Sequence, residues 1–228
     1  MGALAVVVRS TMNILINKEW EGLQNLPDGG FIACPNHLTE IDPFLIGHML
    51  YSNGIIPHFM AKESLFRIPV FGPWLRWAGQ IPVDRRGTAA MGSLDVARRV
   101  LERGGAIIVY PEGTLTRDPN LWPMQGRTGA ARLAFETHVP VIPMAHWGAH
   151  GLMPQYSRRL HIFPRKSARV AIGAPVELSD LAAQGMTRSA LEGATLRIQD
   201  ATTLLLASLR GEPAPIQRFG STAPQSLA

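Results

Sequence analysis

Short apolar runs closed by proline or glycine alternate along this chain with stretches whose apolar residues fall three or four apart. Phe31, Ile32 and Ala33 form one such run; it ends at Pro35 and reads as a buried strand stopping in a turn. A helix is predicted just beyond, with Asp42 as N-cap, Pro43 at the first helical position and residues 44–51 behind them. Ala106 to Tyr110 is a second β-branched run, closed by Pro111. Further strands are predicted over 55–61, 80–83, 139–145 and 169–172. Residues 88–103 carry Met91, Leu94, Ala97, Val100 and Leu101 at helical spacing, with Arg98, Arg99 and Arg103 between them. Helices are also expected over 129–137 and 187–209. Strands alternating with helices predict an α/β fold, a single-domain, mostly parallel sheet flanked by helices.

Three segments stand apart from that pattern. Residues 2–16 are apolar but interrupted by Arg9, Ser10, Thr11 and Asn13, and nowhere does the chain run uninterrupted for the roughly 20 apolar residues of a membrane span. The segment lacks the early positive charge and small-residue cleavage site of a signal peptide, so it reads as a membrane-interface helix, with a helix packed on the domain as the alternative. Residues 65–77 mix Phe, Trp and Arg with Pro and Gly. That composition excludes a long regular helix and suits the headgroup level of a bilayer, or an irregular lid over the core. After Gly211, Pro213, Pro215 and Pro224 lie among small and polar residues, the composition of a flexible tail. The expected organisation is an interfacial helix over 1–17, one folded domain over 18–210 and a tail over 211–228.

The candidate chemistry falls on the turns. His37 lies between the first strand and its helix, and Asp42 lies where that turn closes. Separately they read as a turn residue and a helix cap. Together they have the parts of a general base, because a carboxylate on one ring nitrogen fixes the tautomer and stabilises the imidazolium that forms. No protein nucleophile is required if the substrate brings its own hydroxyl. Glu112-Gly113-Thr114 follows the second strand, and in open α/β sheets sites gather outside the carboxyl ends of strands.

Composition narrows the partners. A chain of 228 residues is the size of one substantial core. The net charge of +5 comes without a long basic tract or a nucleic-acid motif, which argues for anionic lipid and phosphate rather than nucleic acid. One cysteine, Cys34, excludes an intrachain disulfide and gives no support to a metal cluster.

Four segments in order resemble the sequence blocks of the glycerolipid acyltransferases, the lysophosphatidic acid acyltransferase (PlsC-like) family: Asn36-His37 with Asp42; Ile81-Pro82-Val83-Asp84-Arg85; Tyr110-Pro111-Glu112-Gly113-Thr114; and Val139-Pro140-Val141-Ile142-Pro143. The likeness spans roughly residues 18–180, and four ordered blocks are far more specific than any one of them. It implies transfer of a fatty acyl group from acyl-CoA or acyl carrier protein to the free hydroxyl of lysophosphatidic acid, giving phosphatidic acid, without cofactor or metal. His37 would be the base and Asp42 its orienting partner. Substrate binding would fall to Arg85, with Lys62 and Arg117 as weaker phosphate candidates, and to Glu112, Gly113 and Thr114, whose backbone would face the oxyanion. The resemblance further implies a peripheral or monotopic enzyme on the cytoplasmic face of the cell membrane. The Ala-, Arg-, Gly- and Pro-rich composition and the Glu-Gly-Thr-Leu-Thr-Arg-Asp-Pro variant are similar to actinobacterial members. Two departures bear on the phosphate: Leu115 stands where many relatives carry arginine, and Gly126-Arg127-Thr128-Gly129 where they often carry lysines before a glycine. Three other readings compete: an acyl-enzyme on Cys34, a hydrolase in which His37 activates water, and a lipid-binding module without catalysis.

Overall fold

The computed structural model describes residues 2–83, 89–157 and 159–221. Its strands are β1 (Ile16–Glu21), β2 (Phe31–Pro35), β3 (Pro57–Lys62), β4 (Ile81–Val83), β5 (Ala106–Ile108), β6 (Val141–Trp147) and β7 (Lys166–Ile172). Its helices are α1 (Gly2–Leu15), α2 (Asp42–Ser52), α3 (Phe71–Trp77), α4 (Ala89–Glu102), α5 (Gly129–Thr137), α6 (Ala149–Leu152), α7 (Ser179–Ala182) and α8 (Arg188–Arg210). The strands form one sheet of seven in the order β1-β7-β6-β2-β5-β3-β4, parallel except where β6 meets β7. The mostly parallel α/β architecture predicted from the sequence is therefore the one observed.

Alternation along each central strand divides the core between two faces. Phe31 and Ala33 of β2, with Ile108, Met144 and Val170 on the neighbouring strands, pack under Leu45, Ile46 and Met49 of α2 and Met12 of α1. Ile32 and Cys34 point the other way, with Ile107 and Val141, beneath α4, α5 and α8 through Leu101, Leu133 and Ile198. Thr187 caps α8 by accepting the Ala190 N–H at 3.2 Å, and Gly211 ends it in the left-handed conformation. No helix among the described residues is long and apolar enough to cross a membrane.

Several local expectations change. Strand β1 escaped the sequence reading because Ile-Asn-Lys-Glu-Trp-Glu buries only Ile16 fully; an edge strand pairs through its backbone and needs no apolar period. Asp42 is the first residue of α2 rather than its cap, and the β5 strand ends at Ile108 rather than Tyr110. The 65–77 segment resolves into a 3₁₀ turn over Glu63–Arg67 followed by α3, joined so tightly that a Cβ on Gly72 would lie 2.0 Å from the Phe66 carbonyl oxygen. Helix α1 buries Met12 while Ile14 stays exposed, and Arg165 donates to the Ile16 carbonyl at 2.6 Å. Residues 211–221, read from composition as the start of a flexible tail, return to the domain. Arg218 is buried against Asp200 at 2.6 Å, and the Gln125 N–H donates to the Phe219 carbonyl at 2.9 Å.

Candidate active site

Strand β2 is central, between β5 and β6, so the chain leaving its carboxyl end emerges in the middle of the sheet edge. Residues 36–41 turn there into α2. Asp42 closes the turn: its Oδ2 accepts the Leu38 N–H at 2.5 Å and the Thr39 N–H at 2.8 Å, while Thr39 Oγ1 accepts the Ile41 N–H at 3.0 Å. The same Oδ2 lies 3.0 Å from His37 Nδ1. With a carboxylate on Nδ1, that nitrogen is the donor, and Nε2 is left with the lone pair that can take a proton. The His37 side chain keeps 16% of its surface accessible while Asp42 keeps none, so the imidazole is reachable and the carboxylate is not. Burial alone would raise the Asp42 carboxyl. The charges and hydrogen bonds of His146 and His37 outweigh it and hold the group well below the usual carboxylate range.

His146, on β6, was not singled out from the sequence. Its Nε2 lies 2.9 Å from the Asn36 carbonyl and 3.4 Å from Asp42 Oδ2, and its side chain is wholly buried. Asn36 grips the same residue in both directions, Oδ1 accepting the His146 N–H at 2.8 Å and Nδ2 donating to the His146 carbonyl at 3.2 Å. A signal existed, namely a lone ionisable residue inside the apolar run Val-Ile-Pro-Met-Ala-His-Trp, where a buried polar group demands a partner.

The Glu112 carboxylate does not face a substrate. It is buried and turned toward the protein, with Oε1 accepting the His37 N–H at 3.1 Å and Oε2 the Met124 N–H at 3.1 Å. The Thr116 N–H donates to the His37 carbonyl at 2.8 Å, so both backbone polar groups of His37 are held by the turn after β5. Burial pushes the Glu112 carboxyl up to about 8, against the lowering effect of its hydrogen bonds. Tyr110 stacks on the imidazole, ring centroids 4.0 Å apart and planes 21° apart. Gly113 sits at φ +71°, a left-handed conformation suited to glycine, and its N–H is taken up by the Tyr110 carbonyl at 2.9 Å.

His37 opens onto a cavity of about 1140 Å³. Phe44, Phe59, Met60, Trp74 and Leu75 supply apolar wall, and the buried Leu115 adds to it. Gly113, Thr114 and the exposed Lys62 line the cavity as well; the exposed Arg117 and the buried Glu112 are not among its lining residues, and Arg85 lies outside the described residues. Arg9, Arg127 and Arg132 add positive charge along the wall. Arg9 comes from the α1 side of the sheet and Arg132 from α5 on the other, so the cavity straddles the sheet edge. Cys34 is fully buried on the face away from α2, and burial pushes its thiol up, which leaves nothing for an acyl-cysteine to form on.

Residues 17–147 match the sequence profile of the family described as Acyltransferase. The chain is 31% identical over 161 residues to the 1-acyl-sn-glycerol-3-phosphate acyltransferase BAT2, chloroplastic, of Brassica napus, covering 68% of this chain and 44% of that protein. It is 27% identical over 197 residues to the 1-acyl-sn-glycerol-3-phosphate acyltransferase of Streptococcus pneumoniae, covering 85% of this chain and 68% of the relative. The chain thus spans less than half the length of the plant relatives it matches. In fold it is similar to the crystal structure of the 1-acyl-sn-glycerophosphate acyltransferase PlsC from Thermotoga maritima, with a TM-score of 0.65 at 21% identity over 93% of this chain and 82% of that one.

Proposed function

The chain belongs to the Acyltransferase family, and from that premise we propose that it transfers a fatty acyl group from an acyl-CoA or acyl carrier protein thioester to the free hydroxyl of lysophosphatidic acid, giving phosphatidic acid. The observation that carries this reading is the His37–Asp42 contact of 3.0 Å at the wall of a large, mostly apolar cavity. His37 Nε2 takes the proton of the acceptor hydroxyl as its oxygen attacks the thioester carbonyl carbon. The tetrahedral intermediate then collapses with cleavage of the carbon–sulfur bond, and the departing thiolate takes the proton from His37. Asp42 steadies the imidazolium between these two transfers. Since the Gly113 N–H is committed to Tyr110, the developing oxyanion falls to another backbone N–H of the turn after β5.

The acyl chain lies against Phe44, Phe59, Met60 and Trp74, where it is removed from water. Lys62 and Arg127, with Arg85 of the resembling second block, hold the acceptor phosphate by charge-assisted hydrogen bonds. Acceptor and product are amphiphiles, and the exposed Ile68, Val70, Phe71 and Trp77 beside the cavity offer an apolar face to the lipid surface that supplies them. The proposed place of the reaction is the cytoplasmic face of the membrane. The test is an acceptor screen with purified protein and labelled palmitoyl-CoA. Transfer to lysophosphatidic acid, lost in His37→Ala, is the expected result. Thioester loss that is independent of any lysolipid would make the protein a hydrolase instead.

A further inference from the structure

We propose that His146 is a positioning residue for this reaction, whose ring N–H holds the Asp42 carboxylate in the orientation that serves His37 and tempers its pull on the His37 proton. The proposal rests on the reading of His37 as the base. It begins from an asymmetry in Asp42. Three hydrogen bonds converge on Oδ2, from the Leu38 and Thr39 N–H groups and from His37 Nδ1 at 3.0 Å, and His146 Nε2 approaches the same oxygen at 3.4 Å. Oδ1 is buried and has no hydrogen-bond partner among the described residues. With the carboxylate held through this one oxygen, its aim depends on the groups that surround that atom.

Both neighbours of His146 Nε2, the Asn36 carbonyl at 2.9 Å and Asp42 Oδ2, are acceptors. Nε2 therefore carries the hydrogen, and the shorter contact to Asn36 anchors the ring while the longer one reaches Asp42. The two-way clamp between the Asn36 side chain and the His146 backbone fixes β6 against the end of β2, so the imidazole is held on the carboxylate by main chain as well as by side chain. A wholly buried imidazole in an otherwise apolar strand is a costly choice for packing alone, and its Nδ1 is left without a partner among the described residues. The charged and titratable groups around it are Asp42 on α2, His37 in the turn before α2, and His150 on α6, with Tyr110 facing Asp42 from the end of β5.

The consequence has a sign. When His37 accepts a proton, positive charge appears beside an Asp42 whose negative charge is already shared with His146. Without the His146 N–H that charge is less compensated, so it stabilises the His37 imidazolium more, and His37 holds its proton to higher pH. At neutral pH fewer molecules then keep the free base, and the carboxylate has also lost part of its aim.

The experiment titrates the histidines by ¹⁵N NMR in the wild type, His146→Gln and His146→Leu, alongside acyl-transfer kinetics with lysophosphatidic acid and palmitoyl-CoA. The wild-type spectrum is expected to show His146 as the Nε2–H tautomer, and the Nδ1–H tautomer would overturn the proposal without any variant. In His146→Leu, His37 should titrate at higher pH than in the wild type, and kcat should fall about 10- to 100-fold with KM for both substrates nearly unchanged. In His146→Gln, whose amide can still donate to both acceptors, the His37 titration and most of kcat should return. An unshifted His37 in folded His146→Leu, or a glutamine variant no better than the leucine one, would refute it. Because the titration needs no substrate, it decides the role of His146 even if wild-type protein acylates no lysolipid, an outcome that would count against the proposed reaction alone.

Discussion

Glu112 reaches across from the turn after β5 to the backbone of His37, its Oε1 accepting the amide N–H at 3.1 Å, and so it holds His37 through the main chain. The other oxygen of Glu112 holds the Met124 N–H at 3.1 Å, which makes this one buried carboxyl the junction of the β2 turn, the β5 turn and the loop before α5. In the proposed reaction such a residue acts through the position of His37.

Glu112→Gln removes an acceptor, since an amide side chain has one carbonyl oxygen and turns its NH₂ toward whichever N–H the oxygen does not serve. A loss of about 10- to 100-fold in kcat with little change in KM is expected, the pattern of a displaced base. The same substitution has a signature in stability. With the Glu112 carboxyl at about 8 in the folded protein and 4.5 as its ordinary value, the folded state keeps a proton between those limits that the unfolded chain has released. Stability therefore falls as pH rises from 4.5 toward 8. Melting temperatures of wild type and Glu112→Gln across pH 5 to 9 should differ in slope over that window, and parallel curves would rule out a carboxyl titrating there.

His37→Ala and Asp42→Asn are expected to lower kcat by about 10²–10⁴-fold each, and the double variant should be scarcely worse than either, because base and orienting partner act as a unit. They should part company in stability. Asp42 is held below the usual carboxylate range, so its contribution is present above the ordinary value near 3.8 and is lost as pH falls below it. Acid unfolding followed by circular dichroism should accordingly shift in Asp42→Asn far more than in His37→Ala.

Val70 lies between the 3₁₀ turn over Glu63–Arg67 and α3. It sits at φ 66° and ψ −50°, and the Phe71 N–H closes a three-residue turn on the Pro69 carbonyl at 2.7 Å, the strained hand of γ-turn, which a β-branched residue rarely adopts. The side chain is also 86% exposed. Val70→Gly should relieve strain of about 1–3 kcal/mol and raise the melting temperature. If Val70 faces lipid as proposed, the same change should weaken sedimentation with phosphatidylglycerol vesicles while sparing turnover in detergent micelles. Unchanged vesicle binding would assign the exposed lid to solvent.

Arg218 and Asp200 form an ion pair at 2.6 Å with both side chains almost fully buried. Breaking a buried pair from one side strands the remaining charge, at about 3–5 kcal/mol. Arg218→Ala should therefore lower denaturant stability by that order. Asp200 follows Gln199 on α8, and Gln199 holds the Gly126 N–H at 2.9 Å and the Met124 carbonyl at 2.7 Å, so the loss should reach the loop that Glu112 grips. A reduced kcat in Arg218→Ala, measured where the protein remains folded, is the expected companion effect.

What the sequence determined by itself was whatever local chemistry encodes. The apolar runs at β2 and β6, the helices over Gly129–Thr137 and 187–209 and the turn that joins His37 to Asp42 follow from spacing and from proline and glycine, and the α/β class follows from their alternation. The tertiary structure decided what depends on partners far along the chain. Strand β1 exists because residues 16–21 find β7 about 150 residues later, and its polar pattern announces no such edge. The docking of residues 211–221 turns on one buried charge, Asp200, which composition cannot distinguish from a solvated one. The direction of Glu112, toward the His37 backbone and away from the cavity, and the approach of His146 to Asp42, depend on β2 lying between β5 and β6. Hydrophobic periodicity places a residue on a face of its own element. Which polar atoms then meet is settled by the order of the strands and the register between them.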